Sequence, residues 1–514
     1  MQKKQTILVV ASLLVVVLSV TLAYFTAQII GKGKDVSVSS ADLKIIFTDS
    51  DGAISGSNIE PGWSDTKTFT IENKSNETYK YNIVIQDLVN TFVTNGYLQY
   101  KITSTNGGYS TDSYVDVPKS GTATDTILVY SASIDVGVTQ TYTVEFIYKN
   151  DEDVDQSDDM GKTLSGKLFI TEGTEEPTLL SQILKDNPTR STRSNNNNGT
   201  NDFATPLTTT TTGTLFTSTE SITGITDSPK EVYYFAGNTT KNWVKFANLY
   251  WRIIRTNHDG SIRLLYVGTS HDTTDGNIGT SVFNTNSTST KYVGYKYGED
   301  TSLDTIRNNT TDSTIKTYVD NWYQNNLTNY TKYLSTSAVY CNDRSEGTGQ
   351  TYNYTSSSSS KFNFAPYYRM DYDTDGAAAN PSYNCSDIRD AFSVDNTSAK
   401  LDYPVSLMTA DEIAFAGGVA FQKMSTPYAW YYLNSAGESI TGDKNEWSLS
   451  PIGWDGSRAR VWGWSSVNAR LYTSYVTTTI AVRPVLSLKS CIKYSTGDGS
   501  ASDPYTIKET TSGC

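Results

Sequence analysis

Histidine is nearly missing from this chain of 514 residues. His258 and His271 are the two that occur, and residues 1–230 contain none. A zinc site built on several histidines is therefore excluded, as is a His-Glu-x-x-His protease helix. Cysteine is as scarce. The four residues Cys341, Cys385, Cys491 and Cys514 lie in the C-terminal half and form no Cys-x-x-Cys pair, which argues against thiolate metal sites. Charged residues make up 18% of the chain, with a net charge of -13. A chain of that sign carries no general footprint for nucleic acid. No Gly-x-Ser-x-Gly elbow accompanies either histidine, so a serine-hydrolase site has no support. A glycosidase needs just two carboxylates, which spacing does not reveal, and a secreted hydrolase stays as a third reading.

The N-terminus is rich in what the remainder lacks. Ile7 to Phe25 contains no charge and follows Lys3 and Lys4. Such a run partitions into a bilayer, with the lysines holding its start in the cytoplasm. Everything after it is expected outside the cytosol. Thr21-Leu22-Ala23 places small residues where a signal peptidase cuts, so cleavage after Ala23 is the preferred reading. Retention as a membrane anchor is the alternative, and residues 1–30 are assigned to one or the other. Outside the cell the four cysteines can pair. Three pairings exist, of which Cys341–Cys385 with Cys491–Cys514 is favoured.

The remaining chain reads as mainly β. Residues 31–172 form one β domain. Thr68 to Asn73 alternates around Phe69 and Ile71; Tyr81, Ile83 and Ile85 alternate, as do Tyr142, Val144, Phe146 and Tyr148. Asp51-Gly52, Pro61-Gly62, Asn106-Gly107-Gly108 and Gly137 mark turns, and Gly166 to Ile170 reads as a closing strand. Short strands with such turns predict a sandwich. Residues 173–230, with Asn195 to Asn198, Thr208 to Thr212 and four prolines, read as a linker or extension, with one short helix over Leu179 to Leu184. Residues 231–514 read as an α+β unit. Trp243 to Arg255 is strand-like, His258-Asp259-Gly260 turns, and Ile262, Leu264 and Tyr266 complete a hairpin. Ser313 to Leu327 fits a helix, with Ile315, Val319 and Trp322 on one face. Thr409-Ala410-Asp411-Glu412 is a capping box, and Gly417-Gly418 stops that helix. Trp447 to Leu488 returns to strands.

Two resemblances follow from these residues. The export segment ending Ala23-Tyr24-Phe25-Thr26, then Asn58-Ile59-Glu60-Pro61-Gly62, Thr68 to Asn73, Asp155-Gln156-Ser157 and Gly161 to Lys167, resembles the camelysin/TasA-type secreted matrix proteins of Gram-positive bacteria. It covers roughly the first third of the chain. It implies a jelly-roll-like β sandwich, and biofilm fibres built by donating an N-terminal strand to the next subunit. The strand Val244 to Arg255, Cys341 to Arg344, Leu407 to Glu412, Trp447 to Pro451, Val482 to Leu488 and Gly497 to Tyr505 resemble a bacterial surface-protein domain of uncharacterised function. That match runs from about Leu179 to about Ile507 and is distantly similar to C-type-lectin and formylglycine-generating-enzyme folds. It implies a cell-surface location and little chemistry.

Two segments carry candidate chemistry. Asp371, Asp373 and Asp375, with Gly376 sixth, alternate as oxygen ligands of a Ca²⁺ loop do, but the twelfth position is Ser382 rather than a bidentate Glu. An acidic turn is the plainer reading, and no other cofactor is expected. Asp151 to Asp155 reads as a solvated acidic loop. Trp454, Arg458, Arg460, Trp462, Trp464, Asn468, Arg470 and Tyr472 combine aromatic faces with planar polar groups, the means by which proteins grip sugars. Packing of these strand aromatics in a core is the competing reading. The sequence thus points to an exported surface or matrix protein. Its expected partners are itself, through strand addition by Tyr24 to Val38 with Ile29 and Ile30 as anchors, other matrix proteins, or a glycan. A non-polymerising, membrane-anchored adhesin is the alternative.

Overall fold

A computed structural model describes residues 59–193, 200–210, 213–352, 360–370, 380–421 and 432–514, with the strand pieces 36–38, 41–47, 53–56 and 195–196. Residues 1–35, with the apolar leader and most of the proposed donor segment, lie outside the described residues, as do Asp371, Asp373 and Asp375. Among the described residues, no helix is long and apolar enough to cross a membrane. The chain is mainly β and divides into two compact units, Met1–Glu176 and Pro177–Cys514.

Among the described residues, the first unit has ten strands: β1 (Val36–Val38), β2 (Ala41–Phe47), β3 (Ala53–Gly56), β4 (Ser64–Asn73), β5 (Tyr79–Asn90), β6 (Leu98–Ser104), β7 (Val115–Asp116), β8 (Ser120–Ile134), β9 (Thr139–Tyr148) and β10 (Leu164–Glu172). They form two sheets, ordered β1-β2-β4-β9-β6-β7 and β3-β10-β5-β8. The two-residue period explains the packing. Every second residue of β9 is buried, and Tyr142, Val144, Phe146 and Tyr148 enter one core with Phe69, Ile71, Ile83, Ile85, Leu168 and Ile170. Phe69 stands opposite Tyr142, and their rings stack at 5.1 Å. Tyr81 meets Tyr142 edge-on from the other sheet at 6.3 Å. The alternation read in Tyr81, Ile83 and Ile85 is incomplete, because Asn82 and Val84 are buried too.

Neutral amides tie the ends of these strands. Asn82 Nδ2 donates to the Glu172 carbonyl at 2.8 Å, while its Oδ1 accepts from the amides of Ser131 at 3.0 Å and Thr174 at 3.1 Å. Asn90 Nδ2 donates to the Val117 carbonyl, and Asn73 Nδ2 to the Ile134 carbonyl. Among the described residues of this unit, one carboxylate is buried. Asp159 accepts from the Val93 amide at 2.6 Å and the Tyr148 hydroxyl at 2.9 Å. Burial works against its charge, but these bonds outweigh it and hold the carboxyl below its usual range.

The second unit folds a nine-stranded sheet and a six-stranded sheet around one core. The large sheet runs Arg190–Thr192, Leu215–Glu220, Lys230–Phe235, Leu249–Thr256, Ile262–Gly268, Pro484–Leu488 and Val405–Leu407, with Trp243–Phe246 and Tyr505–Thr506 beside Leu249–Thr256. The small sheet centres on Glu446–Trp454, Ala459–Ser465 and Arg470–Tyr475. The expected helix spans Thr314–Asn326 with Ser313 as its N-cap, burying Ile315, Val319 and Tyr323. The capping box forms as read: Thr409 accepts from the Glu412 amide, Glu412 from the Thr409 amide, and Gly417 ends the helix at φ 119°.

Two element assignments also differ from the sequence reading. Trp243 to Arg255 is two strands, because Ala247 and Asn248 adopt φ 55° and 59° and make a two-residue hairpin turn. Neither is glycine, and a lone Asn inside an apolar run is a weak turn signal. Much of the stretch read as a linker belongs to the second unit. Leu179 and Ile183 of the helix Leu179–Asp186 are buried in its core, and Arg190–Thr192 and Leu215–Glu220 are strands of its large sheet. Its few apolar residues are spaced to insert singly, which low overall hydrophobicity conceals.

Candidate functional site

The C-terminal unit is stapled by Cys341–Cys385 and Cys491–Cys514, the favoured pairing. No described cysteine is free. Two disulfides place the chain in an oxidising environment.

Buried charges form an internal frame. Arg255 Nη2 donates to Glu220 at 2.8 Å and Arg255 Nε to Glu412 at 2.8 Å, with Arg263 also paired to Glu412. The capping-box glutamate is thus an ion-pair hub as well. Arg369 joins Asp343 at 2.7 Å and Asp411 at 3.0 Å, and Arg344 joins Asp390 at 2.7 Å. Burial alone would raise the pKa of Glu220, but Arg255 and the hydrogen bonds from His258 and Arg255 outweigh it and hold it at about 2. A cavity among these groups measures about 20 Å³, too small for anything beyond a water. The frame is structural.

Of the eight residues proposed for a sugar platform, the three indoles lie in the core. Trp454 is 2% exposed, and Trp462 and Trp464 are 0% exposed. Arg460, Trp462 and Trp464 share one sheet face, opposite Tyr475, Thr473 and Leu471. There Tyr367 stacks on Trp462 at 6.0 Å, and Phe421 lies 5.4 Å away. Arg458 and Arg460 gather instead around Tyr475, with guanidinium carbons 3.8 and 4.7 Å from its ring centroid. Arg460 is also paired with Asp455 at 2.8 Å. Arg470 donates to the Phe421 carbonyl at 2.6 Å, Asn468 donates to Ser465, and Tyr472 is half-buried opposite Gly463. The segment does not bring its rings together on one open surface.

A different set of residues forms an open cleft of about 420 Å³. The helix Thr314–Asn326 supplies one wall through Thr314, Thr317, Tyr318 and Asn321, which recur at i, i+3, i+4 and i+7 and so share a face. The short pairing of Lys296–Tyr297 with Thr311–Asp312 supplies Tyr297 and Asp312, and the chain before it supplies Asn284 and Thr285. The Tyr318 hydroxyl donates to the Ile278 carbonyl at 3.1 Å. Gly279, at φ 118°, leaves that room, since a Cβ there would stand 2.2 Å from the Tyr318 hydroxyl. Burial, then the neighbouring Tyr292 and Asp312, raise the Tyr297 phenol above its ordinary value.

Asp312 of the cleft wall converges with Asp320 and Asp402 as the ligands of a metal site would. The ammonium of fully buried Lys316 occupies their centre, at 3.0, 2.6 and 2.6 Å. The three carboxylates overcome its burial and hold it protonated above the usual lysine range. A cation there is already supplied by the chain. The polar stripe Thr314, Thr317, Tyr318 and Asn321 is the signal the sequence offers for this wall, and the apolar stripe of the same helix draws attention from it.

Comparison of the chain with protein-family models, with curated proteins and with solved structures gives no match.

Proposed function

We propose that this is an exported surface or biofilm-matrix protein of a Gram-positive bacterium, assembling by strand addition through a jelly-roll-like N-terminal sandwich and displaying a lectin-like C-terminal binding unit. One observation carries the assembly reading. β3 pairs β10 from Leu164 to Lys167 and goes no further, while β5 pairs β10 as far as Glu172. Among the described residues, no strand covers the outer edge of β10 from Leu168 to Glu172. An uncovered edge beside a packed core is a template for a further strand.

The donor is Tyr24 to Val38. Its last residues, Val36–Val38, pair with β2 of the same chain at the edge of the other sheet. Donation exchanges that short pairing for a longer one with a neighbour, as in domain swapping. Cleavage after Ala23 frees the segment, and the disulfides suit an oxidising exterior.

The mature N-terminus, read by mass spectrometry of the protein from its producing cells, tests this. Tyr24 as first residue is the expected result. Retention of Met1 to Phe25 favours the anchored adhesin, a reading that the open cleft of the C-terminal unit also supports.

A further inference from the structure

We propose that the cleft on the helix Thr314–Asn326 binds a neutral, polyhydroxylated ligand, a short run of a saccharide chain. The proposal rests on reading the second unit as a displayed binding module and does not depend on strand addition. The cleft volume of about 420 Å³ falls in the range of small-ligand sites, about 300–1,000 Å³. Its walls carry polar groups left over by the fold. The Asn321 amide, the Tyr297 hydroxyl and the hydroxyls of Thr285 and Thr314 hydrogen-bond to no described residue. Together they offer both donors and acceptors, the complement of a sugar hydroxyl. The rings of Tyr297 and Tyr318 add apolar surface for the C–H faces of a pyranose.

The charges select a neutral ligand. Asp312 is the one carboxylate lining the cleft, and it is held between Lys296 at 2.9 Å and Lys316 at 3.0 Å. Lys291, which reaches over Tyr297, is itself paired with Glu299 and Asp300. Among the described residues, each lysine beside the cleft already has an acidic neighbour, and Asp312 would repel an anionic ligand.

The test is saturation-transfer NMR on the exported chain with cello-, malto-, chito- and mannohexaose at about 5 mM, enough to occupy a millimolar site. A galacturonic-acid hexamer serves as the anionic probe. Transfer to at least one neutral hexamer is expected, weakened about tenfold or more by both Asn321→Ala and Thr317→Arg. Both positions are exposed, so thermal unfolding should stay unchanged. Silence from all four neutral hexamers overturns the proposal. So does transfer that survives both substitutions, or transfer to the anionic hexamer alone. Sedimentation of the same samples reports assembly separately, so failure of one reading does not mask failure of the other.

Discussion

The two units bury polarity in different ways. The N-terminal unit hides neutral groups, among them Asn73, Asn82, Asn90 and Gln140, with Asp159 as the one buried carboxylate among its described residues. It has no guanidinium to bury, because no arginine occurs before Arg190. The C-terminal unit buries Arg252, Arg255, Arg263, Arg344 and Arg483, most of them against acidic partners such as Glu220, Glu412, Asp390 and Glu446. A buried ion network tolerates no missing member, since a stranded charge costs several kcal/mol. Amide pins at strand ends are local, and each can open without uncovering a charge. The contrast suits the two roles proposed: a sandwich whose edge strand can be exchanged, and a rigid module that is carried.

That contrast can be broken by mutation. Arg255→Leu strands Glu220 in the core, leaves Glu412 with Arg263 alone, and should cost about 3–5 kcal/mol. In calorimetry it should lower the transition of the C-terminal unit and leave that of the sandwich in place. A matching loss in both transitions would mean the units are not energetically separate. Reduction of the disulfides should act with the same polarity. Cys341–Cys385 closes 44 residues, and its loss should cost about 2–4 kcal/mol in the second unit, with no change in the cysteine-free sandwich. Asn82→Ala removes the pin joining Glu172, Ser131 and Thr174, and should cost the sandwich about 1–3 kcal/mol while sparing the other unit.

Acid sharpens the comparison with a smaller effect. The folded pKa of Glu220, about 2, lies below its ordinary 4.5. Its contribution is therefore complete above pH 4.5 and lost as the pH falls toward 2. The melting temperature of the C-terminal unit should drop across that window, and Glu220→Gln should flatten the slope.

Much of this was legible in the chain. The period-2 stripe Tyr142, Val144, Phe146, Tyr148 gave a strand because alternation has one structural meaning. The capping box at Thr409 gave a helix start for the same reason. What stayed hidden depended on partners remote in sequence. Glu412 reads as a local cap, and nothing nearby shows that Arg255 and Arg263, about 150 residues earlier, converge on it. Alternation favours a core for Trp462 and Trp464 but leaves a platform open until Tyr367 and Phe421 are placed beside Trp462. The cleft was invisible for a related reason. Thr314, Thr317, Tyr318 and Asn321 form a stripe within one helix, but Asn284, Tyr297 and Asp312 turn that stripe into a wall.

Strand donation is the central claim, and sedimentation velocity tests it most directly. The chain beginning at Tyr24 is compared with one beginning at Ser39 over a wide range of concentrations. The account predicts assemblies that grow with concentration in the first and a persistent monomer in the second. Equal behaviour of the two chains, whether both assemble or both stay monomeric, would contradict it.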